Sequence, residues 1–221
     1  MTILKHYNWE HSIKFNDGSI THLFIENPRT YREYVLELIK QYQGEDGNFV
    51  LSKDNKEIPI SKSLNIITDP LDFLFEEKKI NTKINKDLLI EVQSAALQQN
   101  SYKLISEIEC YAETIKETSP HYIDFDPIDE SKILKMLNFH ICLEYENTAT
   151  RILEYLNTSN DVLNIQNFII LNTTLYFTKE ELSQLESECS SLKHNVLFID
   201  SRNIYNAQNS IIIDYENCEI Y

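Results

Sequence analysis

Four carboxylates are packed into the run Ile123–Ser131, IDFDPIDES: Asp124, Asp126, Asp129 and Glu130. In an extended segment Asp124 and Asp126 share one side, and Asp129 with Glu130 would open the helix that follows. Carboxylates gathered in this way repel unless a cation joins them, and hard oxygen ligands suit Ca²⁺ or Mg²⁺. The run is not an EF-hand loop, because Ile128 stands at the third ligand position and the turn glycine is missing. A metal-dependent nuclease would also need acids such as these, but no catalytic Lys or His accompanies them. The plain structural alternative is that Asp129 caps the helix, Glu130 complements its dipole, and Asp124 and Asp126 are solvated.

The second set able to do chemistry is cationic. The chain carries a net charge of −15, which ordinarily argues against a nucleic-acid partner. That charge is unevenly spread. Between Asp46 and Lys86 seven lysines (Lys53, Lys56, Lys62, Lys78, Lys79, Lys83, Lys86) balance seven acids, so all of the −15 lies elsewhere. Within this window KKINTKINK, Lys78–Lys86, has four lysines and no acid. It is either a solvated helix surface or part of a face that meets a polyanion.

Other chemistry is poorly supplied. The three glycines, Gly18, Gly44 and Gly47, all lie in the first quarter of the chain, and their spacing rules out G-x-G-x-x-G. There is no G-x-x-x-x-G-K-[ST], no nucleophile elbow and no H-E-x-x-H. Cys110, Cys142, Cys189 and Cys218 are too widely spaced for a zinc site and read as buried free thiols in a reducing cytoplasm. His6, His11, His22, His121, His140 and His194 are scattered along the chain. No run approaches the ~20 apolar residues of a membrane span, and a cytoplasmic protein without a membrane partner is expected.

These residues must be positioned by a scaffold that reads as α/β. Asn167–Tyr205 predicts a buried strand, a Thr-capped helix and a second buried strand, which is one β-α-β unit. The turn after its first strand, Asn172-Thr173-Thr174, offers hydroxyls but no glycine or lysine for a phosphate. Upstream, Ile13–Phe15 and Ile20–Ile25 flank Asp17-Gly18 and predict a hairpin. Pro28 opens a helix to about Gln43, and strands follow at Phe49–Leu51 and Leu64–Thr68. From Asn85 apolar residues recur at helical spacing for about thirty residues, as one helix or two parted near Asn100-Ser101. Then come a strand at Tyr122–Phe125, a helix at Asp129–Leu137, a strand at His140–Glu144, a helix at Thr148–Leu156 and a last strand at Ile211–Tyr215. The domains expected are an α/β head from residues 1–72 plus 160–221 and a helical leg from 73–159.

The C-terminal run FIILNTTLYFTKEELSQL followed by NVLFIDSRNIY resembles the adaptation ring proteins of type II-A CRISPR–Cas systems. The matching pieces are Phe177-Thr178-Lys179-Glu180-Glu181 and Val196–Arg202, with weaker support from Ile66–Phe73 and the helical middle. The resemblance implies a P-loop-NTPase-like head lacking a functional phosphate loop, with an inserted, protruding α-helical leg. It also implies a protein that is not an enzyme: a Ca²⁺-stabilised homotetrameric ring encircling double-stranded DNA and favouring its ends during spacer acquisition. Its partners would be the CRISPR integrase proteins and the RNA-guided effector nuclease. Asp124, Asp126, Asp129 and Glu130 then map onto the calcium ligands, although Pro127 departs from the family pattern. Lys53, Lys56, Lys62, Lys78, Lys79, Lys83 and Lys86 become candidates for lining the ring. Two other functions compete with this one: a metal-dependent nuclease centred on the four acids, and a scaffold that binds only proteins.

Overall fold

The computed structural model describes residues 1–72, 74–142, 147–207 and 209–220. They form two compact units, residues 1–77 with 143–221, and residues 78–142.

In the first unit β1 (Thr2–His6) pairs antiparallel with β2 (Ile13–Phe15) on one edge and with β4 (Phe49–Lys53) on the other. A tight turn then leads into β5 (Lys56–Glu57), completing a small sheet in the order β2-β1-β4-β5. The main sheet is built from both ends of the chain. It uses β3 (Ile20–Ile25), β6 (Asn65–Ile67), β7 (Asn167–Leu171), β8 (Asn195–Asp200), β9 (Ser210–Ile213) and β10 (Glu219–Ile220), in the order β10-β9-β3-β8-β7-β6. All its pairings are parallel except that of β10. Every residue of β8 is buried, as a strand covered on both faces requires.

One face of the main sheet, through Leu23, Ile25, Ile169, Leu171, Leu197 and Ile199, packs on α1 (Pro28–Tyr42) and the antiparallel sheet in one core. By strand alternation Phe24, Phe168, Ile170 and Phe198 face the other way. There α6 (Thr148–Leu163) and α8 (Lys179–Ser191) pack against each other, and α8 lies on β3 and β8. Two short helices, α2 (Ile60–Ser63) and α7 (Thr173–Tyr176), fill connections.

Local chemistry explains several boundaries. Asn27 caps α1 by accepting from the Arg29 and Thr30 N–H groups, with Pro28 at the first position. Thr178 and Glu181 form a reciprocal capping box at α8. The Asp17-Gly18 turn does not close a hairpin, because β2 and β3 belong to different sheets. Gly18 has φ +79° and donates its N–H to the Asn195 side-chain oxygen at 3.0 Å; a Cβ there would lie 2.5 Å from the Ser190 carbonyl. The turn hands the chain from one sheet to the other.

The second unit contains most of α3 (Leu74–Val92), with α4 (Ala95–Thr118) and α5 (Glu130–Leu137). The helices part at Ser94, whose extended backbone (ψ 155°) interrupts them, and not at Asn100-Ser101. Ser101 stays helical, and its hydroxyl donates to the Val92 carbonyl at 3.4 Å. Residues 119–129 contain no strand, contrary to the expectation at Tyr122–Phe125; among the described residues no strand pairs there, and Asp124 accepts the Phe125 N–H at 2.9 Å. Residues 140–142 are not a strand either, and the rest of the His140–Glu144 expectation lies outside the described residues. α6 runs to Leu163 and belongs to the first unit, because Ile152, Tyr155, Leu156 and Ser159 form one buried stripe. The expected boundary at 159/160 therefore falls inside this helix.

Two interactions hold the β-α-β unit. Asp200, at the end of β8, is 1% exposed and accepts from the Thr173 hydroxyl (2.7 Å), the Thr174 N–H (2.9 Å) and the Thr174 hydroxyl (2.8 Å). His194, buried before β8, shares a 2.7 Å hydrogen bond through Nε2 with the Asn157 side-chain oxygen of α6, while Nδ1 is buried without a partner. Burial lowers the His194 pKa below its ordinary value of 6.5, with Asp161 opposing weakly.

The fold therefore favours neutral His194. Its contribution to stability is complete above the unfolded-state pKa and is lost as pH falls through 6.5 toward the lowered folded value. Urea unfolding should give a lower midpoint at pH 5 than at pH 7, and His194→Gln should reduce that difference; an unchanged difference would assign the pH dependence to other groups. Asp200→Ala strands two hydroxyls and an amide, and should cost about 2–3 kcal/mol in the same measurement. Asp200→Asn, which retains one acceptor, should cost less.

Candidate nucleic-acid interface

Of the seven candidate lysines, Lys53, Lys56 and Lys62 belong to the first unit and Lys78, Lys79, Lys83 and Lys86 to the second. On the first unit Asp54 and Asn55 have positive φ (52° and 62°) and close the β4–β5 turn, which sets Lys53 directly opposite Lys56. Both are exposed, as is Lys62 in the last turn of α2. Like charges directly opposite in a ladder are destabilising, so this pair contributes nothing to folding. It remains available to an anion.

On the second unit Lys78 and Lys86 lie eight residues apart along α3 and line a groove of about 520 Å³ between α3, α5 and the chain that follows α5. Lys135 and His140 share that lining with the apolar Leu89, Leu134 and Phe139, and no acid is among the lining residues. Lys83 is directed elsewhere and pairs with Asp87 one turn on. Lys79 is also absent from the lining. Lys135 and His140 did not figure in the sequence reading. The signal for Lys135 was its place with Ser131 and Leu134 on one stripe of α5, and His140 was masked by an expected strand.

The four acids do not converge within one chain. Asp124 pairs with Lys116 of α4 at 3.1 Å, and that hydrogen-bonded ammonium holds its carboxyl below the usual range. Lys116 also reaches Glu113 at 3.2 Å and lies 5.5 Å above the Phe125 ring. Asp129 caps α5, accepting the Lys132 N–H at 2.8 Å, and Glu130 sits in its first turn. Asp126 is exposed. Among the described residues no three His, Cys, Asp or Glu side chains form a group able to hold a metal ion. The carboxylates of a single chain thus do not fit a calcium centre.

Ligands of open parallel sheets sit at the carboxyl ends of the strands. Here the ends of β7 and β8 are internally satisfied. Only Glu26 and Asn27 connect β3 to α1, with neither glycine nor lysine. Asp200 is engaged by Thr173 and Thr174, and the Tyr31 hydroxyl donates to the Asn172 side-chain oxygen at 2.7 Å. Burial, reinforced by Asp200, raises the Tyr31 pKa, so this phenol stays protonated as a donor. The remaining buried histidines have structural partners, His6 with Glu37 (3.2 Å) and His22 with Glu186 (3.0 Å). The cysteines do not all conform to the expectation of buried thiols, since Cys110, Cys142 and Cys218 are exposed. Among the described residues no helix is long and apolar enough to cross a membrane.

Comparison with known proteins adds the following. Solved structures similar to the chain include cbiO1 of Clostridium perfringens, part of the ABC transporter complex cbiONQ, at 13% identity and TM-score 0.45, covering 96% of this chain and 83% of that one. Another is the ATP-binding cassette MJ0796 in a dimeric post-hydrolysis state bound to ADP and Pi, at 11% identity and TM-score 0.39, covering 96% and 94%. No curated protein matches the sequence. The family model described as CRISPR-associated protein (Cas_Csn2) matches residues 41–217, which include the β-α-β unit and all three helices of the second unit. The chain belongs to this family, the adaptation proteins of type II-A CRISPR systems.

Proposed function

We propose that this chain is a non-enzymatic, Ca²⁺-dependent homotetrameric ring that binds double-stranded DNA at its ends during spacer acquisition. In this reading it works in the cytoplasm beside the integrase proteins and the RNA-guided effector nuclease. The head is a P-loop-NTPase-like body without a working phosphate loop, and residues 78–142 form the helical leg. The observation that carries the DNA contact is the exposed pair Lys53 and Lys56, opposed in one ladder at a cost to folding. Lys62, Lys78, Lys79, Lys83 and Lys86 complete the candidate set. A ring lets an acidic protein bind DNA, because only its lining has to be basic.

Self-assembly has its own support. α4 has 24 residues and none is buried, while Leu97, Leu104, Tyr111 and Ile115 are exposed along it. A helix bearing such an apolar stripe gains stability only when another surface covers it. Calcium enters as the assembly ion, through the Asp124–Glu130 segment of the assembled protein. The non-enzymatic reading draws its support from Asp200, which is engaged by Thr173 and Thr174.

Mobility-shift titrations test this reading. Linear duplex in Ca²⁺ should be bound, and covalently closed circles much more weakly. Lys53→Glu with Lys56→Glu and Lys62→Glu should lower affinity by more than about tenfold near 0.1 M salt and flatten the salt dependence by roughly 0.9 per lost phosphate contact. Equal binding of circles, or binding that ignores the triple charge reversal, would sink the proposal. Cleavage of DNA in Mg²⁺ or Mn²⁺ would replace it with the nuclease.

A further inference from the structure

The groove of the second unit is built by hydrogen bonds of its own. Asn81 and Asn85 stand one turn apart on α3 and staple to it the chain that follows α5. The Asn81 side-chain oxygen accepts the Ile141 N–H at 2.7 Å, and the Asn85 amide donates to the Phe139 carbonyl at 2.8 Å. Asn138 ends α5 with φ 50°, and its carbonyl accepts from His140 Nδ1 at 3.0 Å. Phe139 and His140 are thereby fixed beside α3, yet both stay exposed, Phe139 by 45%.

The charge of this groove is unbalanced. Lys83, Lys103 and Lys116 of the same unit each pair with an acid one turn away. Lys78, Lys86 and Lys135 are exposed, and among the described residues none of the three pairs with an acid. In a chain of net charge −15, three such ammonium groups in an acid-free lining mark a site for an anion.

The rings narrow the choice of anion. A duplex offers a protein its phosphates and base edges and keeps the base faces inside the stack. Phe139 and His140 gain nothing from such a surface. An unpaired base has both faces free and stacks on aromatic side chains, while lysines follow its backbone. A groove of about 520 Å³ suits groups of nucleotide size, whereas the side of a double helix cannot enter it.

We infer that the groove between α3 and α5 binds unpaired nucleotides, the single-stranded overhang of a DNA end. Bases stack on Phe139 and His140, and phosphates meet Lys78, Lys86 and Lys135. The inference rests on the DNA-binding reading above and deepens it by dividing the lysines. Lys53, Lys56 and Lys62 serve the duplex, and the groove serves the strand that has left it.

Fluorescence polarisation on the full-length protein tests this, with circular dichroism to confirm folding. The probes are a blunt duplex, the same duplex with a short oligothymidine overhang, and a free oligothymidine strand. The overhang should raise affinity by about tenfold, and Phe139→Ala should remove that gain while the blunt duplex binds as before. Phe139→Trp should keep the gain, as stacking requires. Lys78→Glu with Lys86→Glu and Lys135→Glu should flatten the salt dependence of free-strand binding by roughly 0.7 per lost phosphate contact. An overhang without benefit, or a Phe139→Ala loss shared equally by the blunt duplex, overturns the inference and leaves the ring reading standing. An overhang gain that depends on Phe139, in a protein that binds circles as well as ends, supports the groove and sinks the ring. A triple lysine variant that binds the free strand like the wild type overturns the inference in favour of an acidic peptide as occupant.

Discussion

The head depends on the pairing of β3 with strands from the far end of the chain. β3 lies between β8 and β9, with Ile20 opposite Val196 and His22 opposite Ser210. Side chains fasten this arrangement at both ends of the strands. At the amino ends Asn195 accepts from the Gly18 and Ser19 N–H groups and donates to Asn167, whose own amide donates to the Ser63 carbonyl. That relay ties the turn before β3, then β8, β7 and the end of α2. At the carboxyl ends Asp200 gathers Thr173 and Thr174. Buried polar groups are tolerated in this way only when each finds a partner.

The same fastening directs attention away from the sheet as a place for ligands. Groups that would face a ligand at the strand ends already bond one another, and a buried carboxylate held by three donors has little left to offer. Charged and apolar surfaces that remain exposed include the β4–β5 turn, the α3–α5 groove and the stripe along α4. Surfaces of this kind do their work by meeting other molecules.

Legibility in the sequence followed local chemistry. Pro28, the Thr178–Glu181 box and the unbroken apolar runs of β7 and β8 announced their elements, because each signal acts within a few residues. The β2–β3 hairpin was misread because Asp17-Gly18 specifies a turn but not which sheet receives the next strand. The better signal was β3 itself, whose last four residues are all buried, the mark of a strand covered on both faces. β1 went unnoticed because its buried positions include Thr2 and His6. The acids were legible as a run in sequence but not as a set in space, since Lys116, eight residues upstream of Asp124, decides where that carboxylate points. The groove was half visible: α3 showed its lysines, while Lys135 and His140 arrive from α5 and the turn beyond it.

The separation between β3 and its partners also sets the order of events during synthesis. Ile20 waits for Val196, so the centre of the sheet cannot form until almost the whole chain has been made. At 5–20 residues per second that wait lasts on the order of 10–35 s. The antiparallel sheet needs nothing beyond Glu57 and can close early, giving Leu4, Phe15 and Leu51 one another as neighbours. Pairings so distant in sequence fold slowly. The late strands β8 and β9 then act as a commitment step: a chain released before them has an apolar central strand with both edges open.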